Sequence, residues 1–563
     1  MDELDWIIYF GLPIVAFFLF FLYQAHENKK KNLKKIKDSF GKRAAKNYYH
    51  EEFENISHGF YLQENDLNII DDITWNDMNM DEIFRNMDST ASSLGQEALY
   101  SMLRKPIISD EELSERKRIM DYFAEHEEER TTLSYTYSNF GYSKKMSVAD
   151  YIESLEECEH KSIVPHIAMM LMFFATLIYC LCFNVVAGMW AVIIIAALNI
   201  ISYFKFKADI ETYFICIKQI FSMCVCAENV LRLNINGISG YNDEIEGYLK
   251  ELSGARRFSW IMSTGKGGIL EFLLDYVRMI THLDIVKFCM VVNTLNQKKN
   301  TVWALYNRLG YFDALIAAAS YRTYLPYTTV PVFDEGNGLR YEVKDLYHPL
   351  IENPVTSSIR TGGSVLITGS NASGKSTFLR AAGINAILSQ TLYISTTHGY
   401  KGNRFRIYSS MALKDNLLNN ESYYMVEIKS LKRIMDAAKN SENGTHYPVL
   451  CFIDEVLRGT NTIERIAASS QILKSLAMTN TICYAATHDI ELTNILERIF
   501  TNYHFTEDIT DNDVHFSYEL LKGRATSRNA IKLLGLLGYD AAILKQATEA
   551  AKHFEESGVW SVE

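Results

Sequence analysis

The chain has 563 residues, enough for several domains, and its 68 acidic against 56 Lys and Arg side chains give a net charge of −12. That balance excludes nucleic-acid binding through overall charge, although a local basic stripe stays open. The nine cysteines are scattered with no C-x-x-C pair, which excludes a zinc ribbon or a disulfide framework and fits reduced thiols.

Trp6 to Tyr23 is continuously apolar and uncharged. Its length approaches the roughly 20 residues that span a bilayer. Asp2, Glu3 and Asp5 precede it, and Lys29, Lys30, Lys31, Lys34, Lys35, Lys37, Lys42, Arg43 and Lys46 follow it. The positive-inside rule then predicts an external N-terminus and a cytoplasmic continuation. A signal peptide is the rival reading, but the basic residues lie after the apolar run and no small-residue cleavage site follows. The basic run reads as a topology signal beside anionic lipid headgroups in preference to a nucleic-acid patch.

Residues 60–162 are helical in pattern. Ile163 to Phe204 contains no Lys, Arg, Asp or Glu and is long enough for two spans with a tight turn near Asn184 to Gly188. Lys161 on one side and Lys205 and Lys207 on the other place both ends in the cytoplasm. Residues 205–324 read as further helix without evident chemistry. Leu325 to Pro354, with four prolines, reads as short strands and turns opening a new domain. From there to about Lys522, strands alternate with helices, as in a mostly parallel sheet. The expected division is 1–24 N-terminal transmembrane helix, 25–59 basic juxtamembrane linker, 60–162 helical core, 163–204 transmembrane hairpin, 205–324 helical continuation, 325–528 α/β domain and 529–563 C-terminal helices.

The α/β region carries the chemistry. Gly369, four residues, then Gly374-Lys375-Ser376 form a G-x-x-x-x-G-K-S phosphate loop between an apolar strand, Ser364 to Ile367, and a helix, Thr377 to Leu388. Backbone N–H groups of Gly369, Ser370, Asn371, Ala372, Ser373, Gly374, Lys375, Ser376 and Thr377 are the candidate anion cradle. Lys375 can reach β- and γ-phosphates, and Ser376 can ligate Mg²⁺. Val449 to Ile453 is an apolar strand ending in Asp454, a candidate Mg²⁺ holder, and Glu455, a candidate general base. Thr481 to Ala486 is another such strand, ending in Thr487-His488. Ser422 on spacing alone is a plain helix cap.

Taken together these residues resemble the MutS family, within the ABC-type ATPases. TGSNASGKSTFLR, DEVLRGTNT, ATHDIEL and ESYYMVEI are similar to its phosphate loop, acidic strand, histidine strand and in-trans signature. Met87 to Phe123 is similar to its core segment, His348-Pro349 to the HP before its loop, and GLLGYDAAILKQATEAA to its closing helices. The resemblance implies an α/β P-loop (ABC-type) ATPase domain plus an all-α core/lever domain, which with the apolar segments makes a protein of three transmembrane helices. It implies ATP and Mg²⁺ as cofactors, Glu455, Lys375 and His488 as catalytic residues, and Ser376 and Asp454 on the metal. Ser422 would touch the partner's nucleotide, which implies a homodimer through the ATPase domain. Ser370, Ala372 and Ser373 depart from the family's loop, Tyr424 replaces its signature Phe, and the mismatch-reading domain with its Phe-x-Glu wedge is not expected here. Phe123-Ala124-Glu125 and Phe505-Thr506-Glu507 match that wedge in letters only. The expected function is a membrane-anchored, ATP-driven clamp at the cytoplasmic face, in contact with lipid and acting on a protein or on DNA. A mismatch-repair or recombination protein and an ABC-type transport component are the two alternatives.

Overall fold

The structure is a computed structural model that describes residues 12–560 except 45, 47, 49, 64–67, 108, 144, 158–161, 257–275, 335, 337, 371–372, 412–422, 442–446, 459, 510–513, 526–530, 532–533 and 535–537. It forms two compact units that interleave in sequence, one of residues 1–65, 86–101 and 118–324, the other of 66–85, 102–117 and 325–563.

The first unit is helical. Its principal helices are α1 (Leu12–Ser39), α2 (Ser93–Arg104), α3 (Glu127–Phe140), α4 (Val164–Cys182), α5 (Val185–Leu233) and α6 (Lys299–Tyr324). The second half of the expected N-terminal span lies in α1, where Leu19 to Tyr23 are exposed; residues 1–11 lie outside the described residues. α4 and α5 are joined by a tight turn at Phe183-Asn184. Pro165 opens α4 at a position that needs no N–H, and the Asn184 side chain caps α5 by accepting the Ala187 N–H at 3.0 Å. Val164–Cys182, Val185–Ile210 and Tyr213–Leu233 are each long and apolar enough to cross a membrane.

The last two of these stretches belong to one helix of 49 residues. At 1.5 Å per residue it runs about 74 Å, more than twice a hydrocarbon core of about 30 Å. Its first part is mostly exposed, while Cys216, Ile217, Ile220, Met223, Cys224 and Ala227 of its later part are buried in the unit. A charged break at Lys205 and Lys207 therefore does not end the helix, because the apolar residues beyond it pack against protein.

The second unit holds two sheets. β1 (Val332–Phe333), β2 (Tyr341–Leu346), β3 (Ser357–Thr361) and β5 (Gly399–Gly402) form a small sheet in the order β1-β5-β2-β3. The larger sheet is ordered β10-β9-β4-β8-β7-β6, from β4 (Val365–Thr368), β6 (Arg406–Ser410), β7 (Val449–Asp454), β8 (Thr481–Thr487), β9 (Thr501–Ile509) and β10 (Val514–Lys522). All its ladders are parallel except β9–β10. β4, β7 and β8 are almost wholly buried, which explains why they read as continuous apolar runs. α7 (Lys375–Thr391), α8 (Tyr423–Ser441) and α9 (Thr462–Ala477) accompany this sheet. Its core includes Leu366, Ile434, Cys451, Ile453, Leu473 and Cys483, all fully buried. Asp77, from far up the chain, accepts the Ser409 hydroxyl at 2.7 Å and the Met411 N–H at 2.9 Å, fixing the end of β6.

Candidate functional site

Parallel register brings the site together. Thr368 at the end of β4 pairs with Thr487 at the end of β8, and Asp454 at the end of β7 pairs with Ala486. The carboxyl ends of three neighbouring strands thus share one edge of the sheet, where an open α/β fold places its ligand crevice. The residues that follow each strand are Gly369 to Lys375, Glu455 and His488.

The loop from β4 to α7 turns on two glycines at positive φ, Gly369 at 150° and Gly374 at 107°. Gly374 is the N-cap of α7 and makes no side-chain cap, so the first N–H groups of that helix are open to an anion. Lys375 folds over the loop and donates to the carbonyls of Gly369 and Ser370, both at 2.7 Å. Burial pulls its amine down to about 8, against the nearby carboxylates of Asp454 and Glu455. Ser376 donates its hydroxyl to Asp454. A hydroxyl and a carboxylate on adjoining elements supply two hard oxygens at one point, which suits Mg²⁺ held largely through water. Asn371, Ala372 and Ser422 lie outside the described residues.

Glu455 sits at φ +62° with its N–H bonded to the Ala486 carbonyl at 2.9 Å. Its Oε1 lies 3.0 Å from His488 Nε2, and its Oε2 accepts from Arg458. A carboxylate needs a donor, so His488 Nε2 carries the proton toward Glu455. Burial alone would raise the Glu455 carboxyl, but the bonds from His488 and Arg458 outweigh it and hold it at about 2. His488 Nε2 also lies 3.3 Å from Lys375 Nζ. The structure therefore gathers Lys375, Ser376, Asp454, Glu455 and His488 into one cluster, with Gly369, Ser370, Ser373, Gly374 and Thr377 in the loop and first helical turn beside it.

Three further residues belong to this neighbourhood, none of which the sequence placed in the site. Glu427 on α8 is buried and accepts the N–H of Leu457, a residue at φ +58°. It thereby holds the strained backbone after Glu455, and burial raises its own carboxyl. Its signal was present, as the Glu of the ESYYMVEI segment. Glu507 on β9 accepts the Ser370 hydroxyl. Tyr518, at φ +54° beside the irregular register of β10, covers Gly374 so closely that an added Cβ there would lie 3.2 Å from its ring. No local pattern marks these last two, since both reach the loop only through the β9–β10 pairing.

Next to the loop is a cavity of about 490 Å³ lined by Leu346, His348, Ile351, Pro354, Gly374 to Phe378, Phe505 and Tyr518. Apolar walls and aromatic rings beside an open anion cradle suit a flat base attached to phosphates. Burial pulls the His348 imidazole down to about 4, so it is neutral there.

Residues 365–555 match the family model described as MutS domain V. The DNA mismatch repair protein MutS of Zymomonas mobilis subsp. mobilis is 27% identical over 284 residues, covering 48% of this chain and 31% of that protein. The DNA mismatch repair protein MutS 2 of Haloarcula marismortui is 25% identical over 293 residues, covering 46% and 30%. The DNA mismatch repair protein MutS of Caldicellulosiruptor bescii is 24% identical over 354 residues, covering 58% and 40%. The chain spans between 30% and 40% of the length of these curated relatives.

Proposed function

Because the chain belongs to the MutS family, we propose that it is a membrane-anchored, Mg²⁺-dependent ATPase whose bound nucleotide switches a dimeric clamp. The convergence of Lys375, the Ser376–Asp454 pair and the Glu455–His488 pair at one sheet edge carries this reading. Lys375 and the open N–H groups of α7 would hold the phosphates. Ser376 and Asp454 would hold Mg²⁺, which supplies charge neutralisation on the β- and γ-oxygens. Glu455 would orient and deprotonate the attacking water, with His488 positioning it. A carboxylate held at about 2 by His488 and Arg458 is a poor base near neutrality, so this step requires those two bonds to loosen when water is bound. Ser422 would complete the partner's site, making hydrolysis depend on dimer formation.

Steady-state hydrolysis by the full-length protein in detergent tests this. Lys375→Ala should fall to background, and Glu455→Gln should lose about 100-fold or more in kcat while still binding ATP. Hydrolysis at the parental rate in both variants would sink the assignment. The names of the relatives favour a second reading, in which the clamp closes on mismatched or branched DNA. A titration with duplex, mismatched and four-way DNA at rising salt decides it; no retention at low salt removes DNA as the partner.

A further inference from the structure

A second cavity, of about 710 Å³, lies wholly within the helical unit, walled by the end of α1 and the chain after it, by α3 and by α6. Lys35, Lys42, Arg43 and Lys46 line one side and Arg130 of α3 lines another. One acid, Asp88, faces them, and Lys46 already pairs with it at 3.1 Å. A topology signal requires only exposed cations near the membrane. Arg130, some ninety residues further along, stacks its buried guanidinium over the Phe40 ring at 3.7 Å but is already bonded to the Phe123 and Ala124 carbonyls at 3.0 Å and paired with Glu127 at 3.6 Å, so the uncompensated charge is that of Lys35 and Lys42. A topology signal does not explain Thr131. That residue lines the same cavity, is 8% exposed, and its buried hydroxyl has no hydrogen-bond partner among the described residues. A buried polar atom without a partner is rare and calls for one. Excess positive charge around an orphaned donor is what a phosphate ester would complete.

We propose that this cavity binds a ligand bearing two or more phosphate charges, with Lys35 and Lys42, which pair with no acid among the described residues, as the cations and the Thr131 hydroxyl as a donor to a phosphate oxygen. At 1.5 Å per helical residue Lys35 lies about 18 Å beyond Tyr23, past the apolar part of α1. A soluble phosphate ester is therefore the first source, and an anionic lipid headgroup the second.

The probe is inorganic pyrophosphate, titrated calorimetrically into the full-length protein. A Lys375→Ala background removes the phosphate loop as a competing site. Saturable binding is expected, weakened about tenfold or more by Lys35→Gln with Lys42→Gln, and about fivefold by Thr131→Val. Thr131→Val should melt no lower than its parent, since it breaks no bond, so a loss of affinity there is not a loss of folding. Vesicles separate the sources. Equal affinity in phosphatidylcholine and in phosphatidylcholine with phosphatidylglycerol assigns a soluble ligand, and weaker affinity in the anionic vesicles assigns a headgroup. Pyrophosphate that fails to bind, or binds equally to the parent and the Lys35/Lys42 variant, overturns the proposal. So does displacement of the pyrophosphate by duplex DNA, which would make the cavity part of a nucleic-acid surface.

Discussion

In the proposed site, Lys375 would set the pH range over which phosphate is held. Its amine is pulled by burial from the usual 10.5 to about 8, so it is charged below pH 8 and neutral above. On the proposed role the charged form would grip phosphate, so affinity should decay on the alkaline side. The dissociation constant for a non-hydrolysable ATP analogue should be flat from pH 6 to about 7.5 and then rise about tenfold per pH unit above 8. Lys375→Arg keeps its charge over this range and should show no such rise. An alkaline limb that persists in Lys375→Arg would assign the titration to another group. Glu455, held at about 2, stays ionised across the same range and contributes nothing to it.

At the scale of elements, the site's frame was readable and its bracing was not. The glycine loop, the strand before it and the helix after it are local signals, and β4 and α7 form there with bounds shifted by at most three residues. The acidic and histidine strands were equally plain, because a strand buried on both faces is a continuous apolar run. Their convergence depends on the order β4-β8-β7, which no periodicity encodes; the family resemblance implied only that these residues share one site. The bracing residues are non-local. Asp77 reaches Ser409 across 332 residues, Glu427 reaches Leu457 across 30, and Glu507 reaches Ser370 across 137. The crossing of α2 and α6 was equally hidden. There a Cβ on Gly310 would lie 2.5 Å from the Leu94 carbonyl, and Asp313 accepts the Ser92 hydroxyl at 2.6 Å. A single glycine in a helical run gives no sign that another backbone passes over it. The length of α5 was hidden for a related reason. Lys205 and Lys207 mark where the uncharged apolar run ends but not where the helix ends, since buried contacts carry it on to Leu233.

At the scale of the whole molecule, charge asymmetry and the hairpin make one topology consistent. With basic residues after the first apolar segment and on both sides of the second, the positive-inside rule gives the expectation that the chain after α1 and the later part of α5 are cytoplasmic and the Asn184 turn is external. The native cysteines allow a direct test, because Cys182 at the end of α4 is exposed while Cys216, Cys224, Cys226, Cys289, Cys451 and Cys483 are buried. In a Cys158→Ser, Cys180→Ser background expressed in bacterial cells, a membrane-impermeant maleimide should label Cys182 in intact cells. A cysteine introduced by Ser557→Cys, at the exposed end of the C-terminal helix Ala541–Ser557, should be labelled only after permeabilisation. The inverse pattern would place the phosphate-loop unit outside, away from cellular ATP, and would remove both the expected topology and the proposed switch built on it. Labelling of both sites in intact cells, with a cytoplasmic marker protein unlabelled, would show that the hairpin lies in the interface without crossing, and α4 and α5 would then be anchors on one face.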